Sequence, residues 1–193
     1  GSGNDSMTGG AGYDDLVGAS GNDTLSGGTE NDSLYGGSGN DNLAGDDGDD
    51  EIGGGSGDDT LTGGLGNDSL YGGYGANNAD GGAGDDFVYA GAGYAALGAS
   101  NNTLTGGSET DTLSYQNFYG GPDDSGVILS LAVLTAQDLD GGDTENRADT
   151  VTGFENLIGS FFGDTLTGDT GDNVIEGWYG NDTLDGGAGN DTV

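Results

Sequence analysis

The sequence predicts an all-β solenoid, a coil of short stacked rungs, on three observations. The chain repeats itself every nine residues, in register and without a gap, from Gly9 to Tyr89. Within each unit only places seven to nine read as strand, too short for an ordinary antiparallel sheet but long enough for one rung. Apolar content is 31% beside 47 glycines and a formal net charge of −34, which puts a deep close-packed core out of reach.

The units read GGAGYDDLV, GASGNDTLS, GGTENDSLY, GGSGNDNLA, GDDGDDEIG, GGSGDDTLT, GGLGNDSLY, GGYGANNAD and GGAGDDFVY, and residues 1–8 are a preceding unit without its first residue. Glycines at places one, two and four suit a tight turn that needs positive φ. Place eight carries the apolar side chain. Place six carries Asp5, Asp14, Asp23, Asp32, Asp41, Asp50, Asp59, Asp68 and Asp86. One apolar side chain per unit does not offset the entropy of ordering nine residues, so another source of stability is expected.

The charge selects partners. With Arg147 as its single basic residue, the chain has no footprint for nucleic acid or an anionic membrane surface, and cations are favoured. No apolar run is long enough to span a membrane, so membrane insertion is not expected, and no secretory leader opens the chain. Absent cysteine removes disulfides and thiolate metal sites.

The pattern G-G-x-G-x-D-x-U-x resembles the RTX calcium-binding nonapeptide repeat of secreted bacterial proteins. The resemblance runs unbroken through about half the chain and returns from Gly159. It implies a right-handed parallel β-roll with two nonapeptides per turn. Place eight would then point inward, with Met7, Leu25, Leu43, Leu61 and Ala79 in one row and Leu16, Leu34, Ile52, Leu70 and Val88 in the other. Place-six aspartates would stack in two ladders, one on each edge. Stacked carboxylates repel unless a cation lies between them, and free turn carbonyls complete the all-oxygen shell that calcium takes; magnesium fits such a site poorly. Several calcium ions are therefore expected, on the nine aspartates above together with Asp111, Asp164, Asp182 and Asp191.

Departures carry expectations of their own. Asn77 and Ala95 replace the aspartate, so sites there should be weak or empty. Glu30 and Glu109 occupy place four, where a strained or differently liganded turn is expected, and Asp46 and Asp47 should be merely solvated. The repeat decays through AGAGYAALG and ASNNTLT and is restored by GGSETDTLS, so residues 1–89 read as the regular roll and 90–114 as degenerate repeats.

Residues 115–158 form a non-repeat β elaboration, read as two or three strands packed on the flank. There Val127, Leu129, Leu131 and Val133 alternate with Ile128, Ser130 and Ala132, the mark of a longer strand buried on one face. Its end, TVTGFENLIGS, resembles a segment common beside RTX repeats. DLDGGDTE (138–145) fails the EF-hand pattern at Gly142 and reads as an acidic hairpin tip, with Arg147 pairing Glu145 or Asp149. Residues 159–193 resume the roll, with Asn173 also at place six and Leu166, Ile175, Leu184 and Val193 as core. Both ends cut through a unit, as in a length taken from a longer array.

Three functions compete. The first is a folding and spacer module of a larger secreted protein, exported unfolded by type I secretion and folding on extracellular calcium. The second is a structural module that assembles with copies of itself or with neighbouring RTX modules, as a filament, surface layer or adhesin stalk. The third is a carbohydrate-binding module on a secreted enzyme, with polysaccharide as partner. It rests on Tyr35, Tyr71 and Tyr89, which share one outer face at place nine, and on the exposed pair Trp178 and Tyr179. All place the chain outside the cell or on its surface. Catalysis by the chain itself is not expected, for it has no histidine, cysteine, lysine or G-x-S-x-G elbow.

Overall fold

Each repeat contributes one strand that begins just after its place-six residue. The computed structural model describes residues 1–90, 101–116, 126–135, 137–138 and 148–193. The regular repeats give β1 (Ser6–Ala11), β2 (Asp15–Ser20), β3 (Thr24–Thr29), β4 (Ser33–Ser38) and β5 (Asn42–Asp47). They continue as β6 (Glu51–Ser56), β7 (Thr60–Leu65), β8 (Ser69–Tyr74), β9 (Asn78–Ala83) and β10 (Phe87–Tyr89). These strands are longer than the three places read from sequence. From β1 to β9 each runs six residues, from place seven through places one and two to place three of the next unit.

Beyond the repeats lie β11 (Thr103–Ser108), β12 (Thr112–Ser114), β13 (Ile128–Ser130), β14 (Gln137–Asp138) and β15 (Ala148–Thr152). The last are β16 (Asn156–Ile158), β17 (Thr165–Thr167), β18 (Val174–Glu176) and β19 (Thr183–Asp185). The described residues contain no helix.

The strands stack as a parallel β-solenoid. One sheet runs β1-β3-β5-β7-β9-β11-β15-β14, where only the β14–β15 pair is antiparallel, and the other runs β18-β16-β12-β10-β8-β6-β4-β2. A third, β13-β17-β19, is also parallel. Residues one turn apart are 18 apart in sequence through the regular repeats. The two inward rows follow as expected: Met7, Leu25, Leu43, Leu61 and Ala79 lie in register, and so do Leu16, Leu34, Ile52, Leu70 and Val88. Leu104, Leu113, Val151, Leu157, Leu166 and Ile175 extend this core, while Val193 is 67% exposed and outside it.

At the end of the regular roll one turn lengthens to 25 residues, so that Leu104 pairs directly with Ala79. The decayed unit AGAGYAALG and its Ala95 lie mainly outside the described residues, as do the acidic segment 139–145 and Arg147. The strand read over 127–133 is only three residues long. Its alternation holds through Leu131, with Val127, Leu129 and Leu131 buried, but Val133 is exposed. The β13 strand pairs in parallel with β17 as a rung of the stack, and the Gln137 side chain clasps the chain end of that strand through Ser130 and Val133.

Candidate metal centre

The edges of the solenoid are built from place six. Each aspartate there accepts, through Oδ1, the backbone N–H of the place-six residue one turn earlier: Asp23 from Asp5, Asp41 from Asp23, Asp50 from Asp32 and Asp68 from Asp50, at 2.7–2.8 Å. From the second turn on, stacking parallel rungs thus fixes each of these carboxylates by one oxygen. The other oxygen has no partner. Oδ2 of Asp14, Asp23, Asp32, Asp41, Asp50, Asp59, Asp68, Asp86 and Asp111 is buried and without any hydrogen bond. A buried ionised oxygen left unpaired is costly, so nine in two files are a demand for positive charge.

The same nine oxygens explain the first glycine of each unit. The expectation of positive φ holds at places two and four, as at Gly28 (φ 122°) and Gly39 (φ 126°), but place one has no such φ. Its glycine is there for space. A Cβ on Gly18 would overlap Asp23 Oδ2 and the carbonyl oxygen of Gly36 one turn on, and Gly63 stands in the same relation to Asp68 and Gly81. Carboxylate and carbonyl oxygens therefore converge on one cradle per rung. Among the described residues no three acidic side chains converge as a cluster; the donor set combines carboxylates with main-chain carbonyls, which suits calcium.

Burial and like charge act on the carboxyl groups as this geometry requires. Burial pushes Asp68 up to about 7, against the lowering hydrogen bond from the Asp50 N–H and with help from the charges of Asp86, Asp50 and Asp49. Asp59, Asp86 and Asp111 are pushed up to about 6, burial again the largest cause. Asp41 and Asp50 are raised for the same reason.

A second ladder at place five went unread in the sequence. Asn22 Oδ1 accepts the Asn40 N–H, Asn40 Oδ1 that of Asp58, and Asp49 Oδ1 that of Asn67, at 2.8–3.1 Å. It runs opposite to the place-six ladder, capping the next turn rather than the previous one. The recurring Asn-Asp pair was its signal. Asp46, expected to be solvated, sits at φ 77° and accepts the Ser26 hydroxyl at 2.6 Å.

A family model, the RTX calcium-binding nonapeptide repeat, matches residues 1–94, 96–115 and 158–193 through overlapping segments. The chain belongs to the RTX repeat family. No curated protein matches it. RTX repeats imply calcium binding through their Asp-rich turns, are typical of secreted bacterial proteins and are typically non-catalytic. The unpartnered Oδ2 atoms and the glycine cradles fit that cation.

Several rungs depart from the RTX pattern, and there protein groups meet the carboxylate or replace it. At Gly72 the atom in the cradle is the amide Nδ2 of Asn77. One turn on, Asn102 takes place six: Oδ1 accepts the Asn77 N–H at 2.9 Å and Nδ2 donates to Ala90 O at 3.1 Å and Asp149 Oδ2 at 3.3 Å. Asp149 Oδ1 accepts the Asn102 N–H and its Oδ2 the buried Tyr115 hydroxyl, at 2.8 and 2.9 Å. Neither had been read as part of the ladder, although Asp149-Thr150-Val151 repeats the spelling of Asp164-Thr165-Leu166. Glu155 likewise stands at place six beyond Asp111, accepting its N–H at 2.9 Å.

The remaining candidates divide. Asp164 accepts Val127 N–H at 2.6 Å and Ser160 Oγ–H at 2.7 Å on Oδ1, and Ser160 N–H at 2.7 Å on Oδ2. Its carboxylate is fully engaged. Asp182 and Asp191 keep the ladder bond, accepting from Asp164 and Asn173 at 3.0 Å, but they are partly exposed, as is Asp5 on the first rung. Glu30 and Glu109 adopt φ of 70° and 81° at place four and accept the N–H of Gly12 and Gly84 on the preceding turn.

Proposed function

We propose that the chain is a calcium-responsive folding and spacer module of a larger secreted protein. The observation that carries this reading is the nine buried, unpartnered carboxylate oxygens in two files, each beside a glycine cradle. The ligands we assign are Asp14, Asp23, Asp32, Asp41, Asp50, Asp59, Asp68, Asp86 and Asp111, with Asp5, Asp182 and Asp191 as weaker ligands on exposed rungs. Asp164 is assigned a structural role instead.

Calcium, when bound, supplies the positive charge that lets carboxylates of one edge stack. Without it the like charges oppose rung closure and keep the chain open for export; in calcium-rich surroundings binding free energy becomes folding free energy. Residues 1–89 are the part of the chain on which this dependence falls most heavily.

The test is a calcium titration of EDTA-stripped chain followed by far-ultraviolet circular dichroism, with bound ions counted by calorimetry. A cooperative coil-to-β transition with several ions per chain, not reproduced by magnesium, is the expected result. A chain that is fully β-structured in EDTA and takes up no calcium overturns the reading.

A further inference from the structure

The outward face of the second sheet carries a break that neither the metal ladder nor the backbone requires. Place nine on this sheet reads Val17, Tyr35, Gly53, Tyr71 and Tyr89 on successive rungs in register. Tyr71 stacks on Tyr89 with ring centroids 4.4 Å apart and planes 10° from parallel, and Phe87 closes on Tyr89 at 4.6 Å. That stack holds Tyr71 from one side and leaves its other face toward Gly53.

Gly53 has no conformational duty. It lies within β6 and does not take positive φ. A Cβ there would press on the Tyr35 ring, which leans over Gly53 with Cδ2 at 3.1 Å and Cε2 at 3.6 Å from that position, while no backbone atom comes nearer than Leu34 O at 3.9 Å. Glycine inside a strand marks close approach of another group; here the Tyr35 ring makes that approach, and its lean brings it nearer to Tyr71. A groove of about 250 Å³ opens above it, lined by Ser33, Leu34, Tyr35, Glu51, Gly53 and Tyr71.

The walls set the thickness of the occupant. Tyr35 and Tyr71 stand two rungs apart, roughly 9–10 Å at the usual strand spacing. A flat group in contact with a ring on each side needs roughly 7–8 Å between them, and the tilt of Tyr35 takes up the remainder. The charge sets its sign. Glu51 is exposed at the groove's flank on a chain of formal net charge −34, so a neutral ring would leave that field unused. A group that is planar, cationic and armed with in-plane donors for a carboxylate is a guanidinium. Arg147 is the single arginine of residues 1–193, and the occupant is an arginine from outside them.

We propose that the Tyr35–Gly53–Tyr71 slot, flanked by Glu51, binds an arginine side chain of a partner protein. The site rests on the calcium-folded roll, so the test begins by verifying the fold through circular dichroism in millimolar calcium. The folded chain is then titrated with Nα-acetyl-arginine methylamide while the tyrosine ring resonances are followed by NMR. Saturable shifts confined to the rings of Tyr35, Tyr71 and the stacked Tyr89 are expected, with the lysine analogue at least fivefold weaker.

Gly53→Val pushes the Tyr35 ring aside and fills the slot, and it should abolish the shifts with calcium uptake unchanged. Tyr71→Leu serves as a second variant that removes one wall, and Glu51→Gln should weaken binding about threefold. Equal shifts in Gly53→Val, or lysine matching arginine, would mean diffuse charge attraction and overturn the proposal. So would a neutral glucan oligosaccharide that saturates these rings while arginine does not, for the slot would then be a sugar site.

Discussion

The regular roll of residues 1–89 and the later rungs β15 to β18 form similar strands but settle their edges differently. In the first, six-residue strands are joined by turns with glycines at positive φ, and each buried place-six carboxylate keeps an oxygen with no partner. In the second, β16, β17 and β18 are three residues long and the chain spends side chains on the same problem. GSFFG has Ser160 and Phe162 where glycines stood, and neither takes positive φ; Ser160 instead turns its hydroxyl and N–H onto Asp164. Tyr115 and Asn102 do likewise for Asp149. The lesson is about conditionality. On the proposed reading, a rung whose carboxylate is met by protein donors stands by itself, while one whose carboxylate is left bare stands when a cation arrives.

Chelation is the strongest way to break the comparison. On transfer from calcium to EDTA, amide protection in β3 to β8 is expected to fall by roughly a hundredfold or more, and that in β15 to β17 by much less. Hydrogen exchange read by mass spectrometry decides it. Equal loss in both regions would mean that the side-chain donors confer no independence.

Two substitutions sharpen the same contrast. Asp164→Ala leaves three buried donors without an acceptor and is expected to cost about 2–4 kcal/mol, alike with and without calcium. Asp68→Ala should lower stability and the number of bound ions in calcium, yet cost less in EDTA, where removing a buried like charge offsets the lost acceptor of the Asp50 N–H. Thermal unfolding of both variants in both buffers makes a two-by-two comparison, and matching rows would refute the division of roles.

Asn102→Asp converts a self-capped rung into a bare one. The new carboxylate loses the Nδ2 bonds to Ala90 and Asp149 and faces Asp149 as a like charge. A destabilisation of about 1–3 kcal/mol in EDTA is expected, with recovery in millimolar calcium. The check is one additional ion in the calorimetric count.

Proton binding offers a milder substitute for calcium. Asp68 is raised to about 7 and Asp59, Asp86 and Asp111 to about 6, above the ordinary 3.8 that holds in the open chain. Because the folded state then binds more protons than the unfolded one, stability of the calcium-free roll should rise as pH falls from about 7 toward 4 and be lost as pH climbs back through that window. Calcium competes for the same oxygens, so its affinity should weaken over the same fall. Circular dichroism of the calcium-free chain between pH 8 and 4.5 should show β-structure growing; a flat profile would count against bare buried carboxylates.

Much of this was legible in the residues, and the reason is periodicity. A nine-residue period with one aliphatic and one aspartate places Leu25 under Leu43 and Asp23 under Asp41 without knowledge of any coordinate. What escaped was whatever lacks the period. Asn102 and Asp149 sit in the ladder 47 residues apart because a long segment intervenes, and no spacing rule reaches across it. Place one was misread for another reason: glycine for positive φ and glycine for space look identical in a sequence. The place-five ladder is written as the recurring Asn-Asp, in which the aspartate alone carries the metal-ligand chemistry.

The smallest effect concerns Glu30, and it turns on a balance. At place four its φ of 70° is a conformation that glycine adopts freely, so Glu30→Gly relieves strain. The same change removes the acceptor for the Gly12 N–H and the Thr29 hydroxyl, both at 2.8 Å. These bonds hold the Glu30 carboxyl below its ordinary 4.5, the Gly12 N–H contributing most. A group whose folded value is lowered stabilises above its unfolded value and loses that contribution as pH falls through the folded one. Near neutral pH strain relief and lost bonds should nearly cancel, leaving a Tm change of at most a few degrees. As pH falls below about 4.5 the wild type forfeits the bonds while the variant keeps its relaxed turn, so the difference should swing toward the variant. Paired thermal scans at pH 7 and pH 3.5 in calcium test this, and a difference that stays constant across the two would show that the carboxylate contributes nothing to the turn.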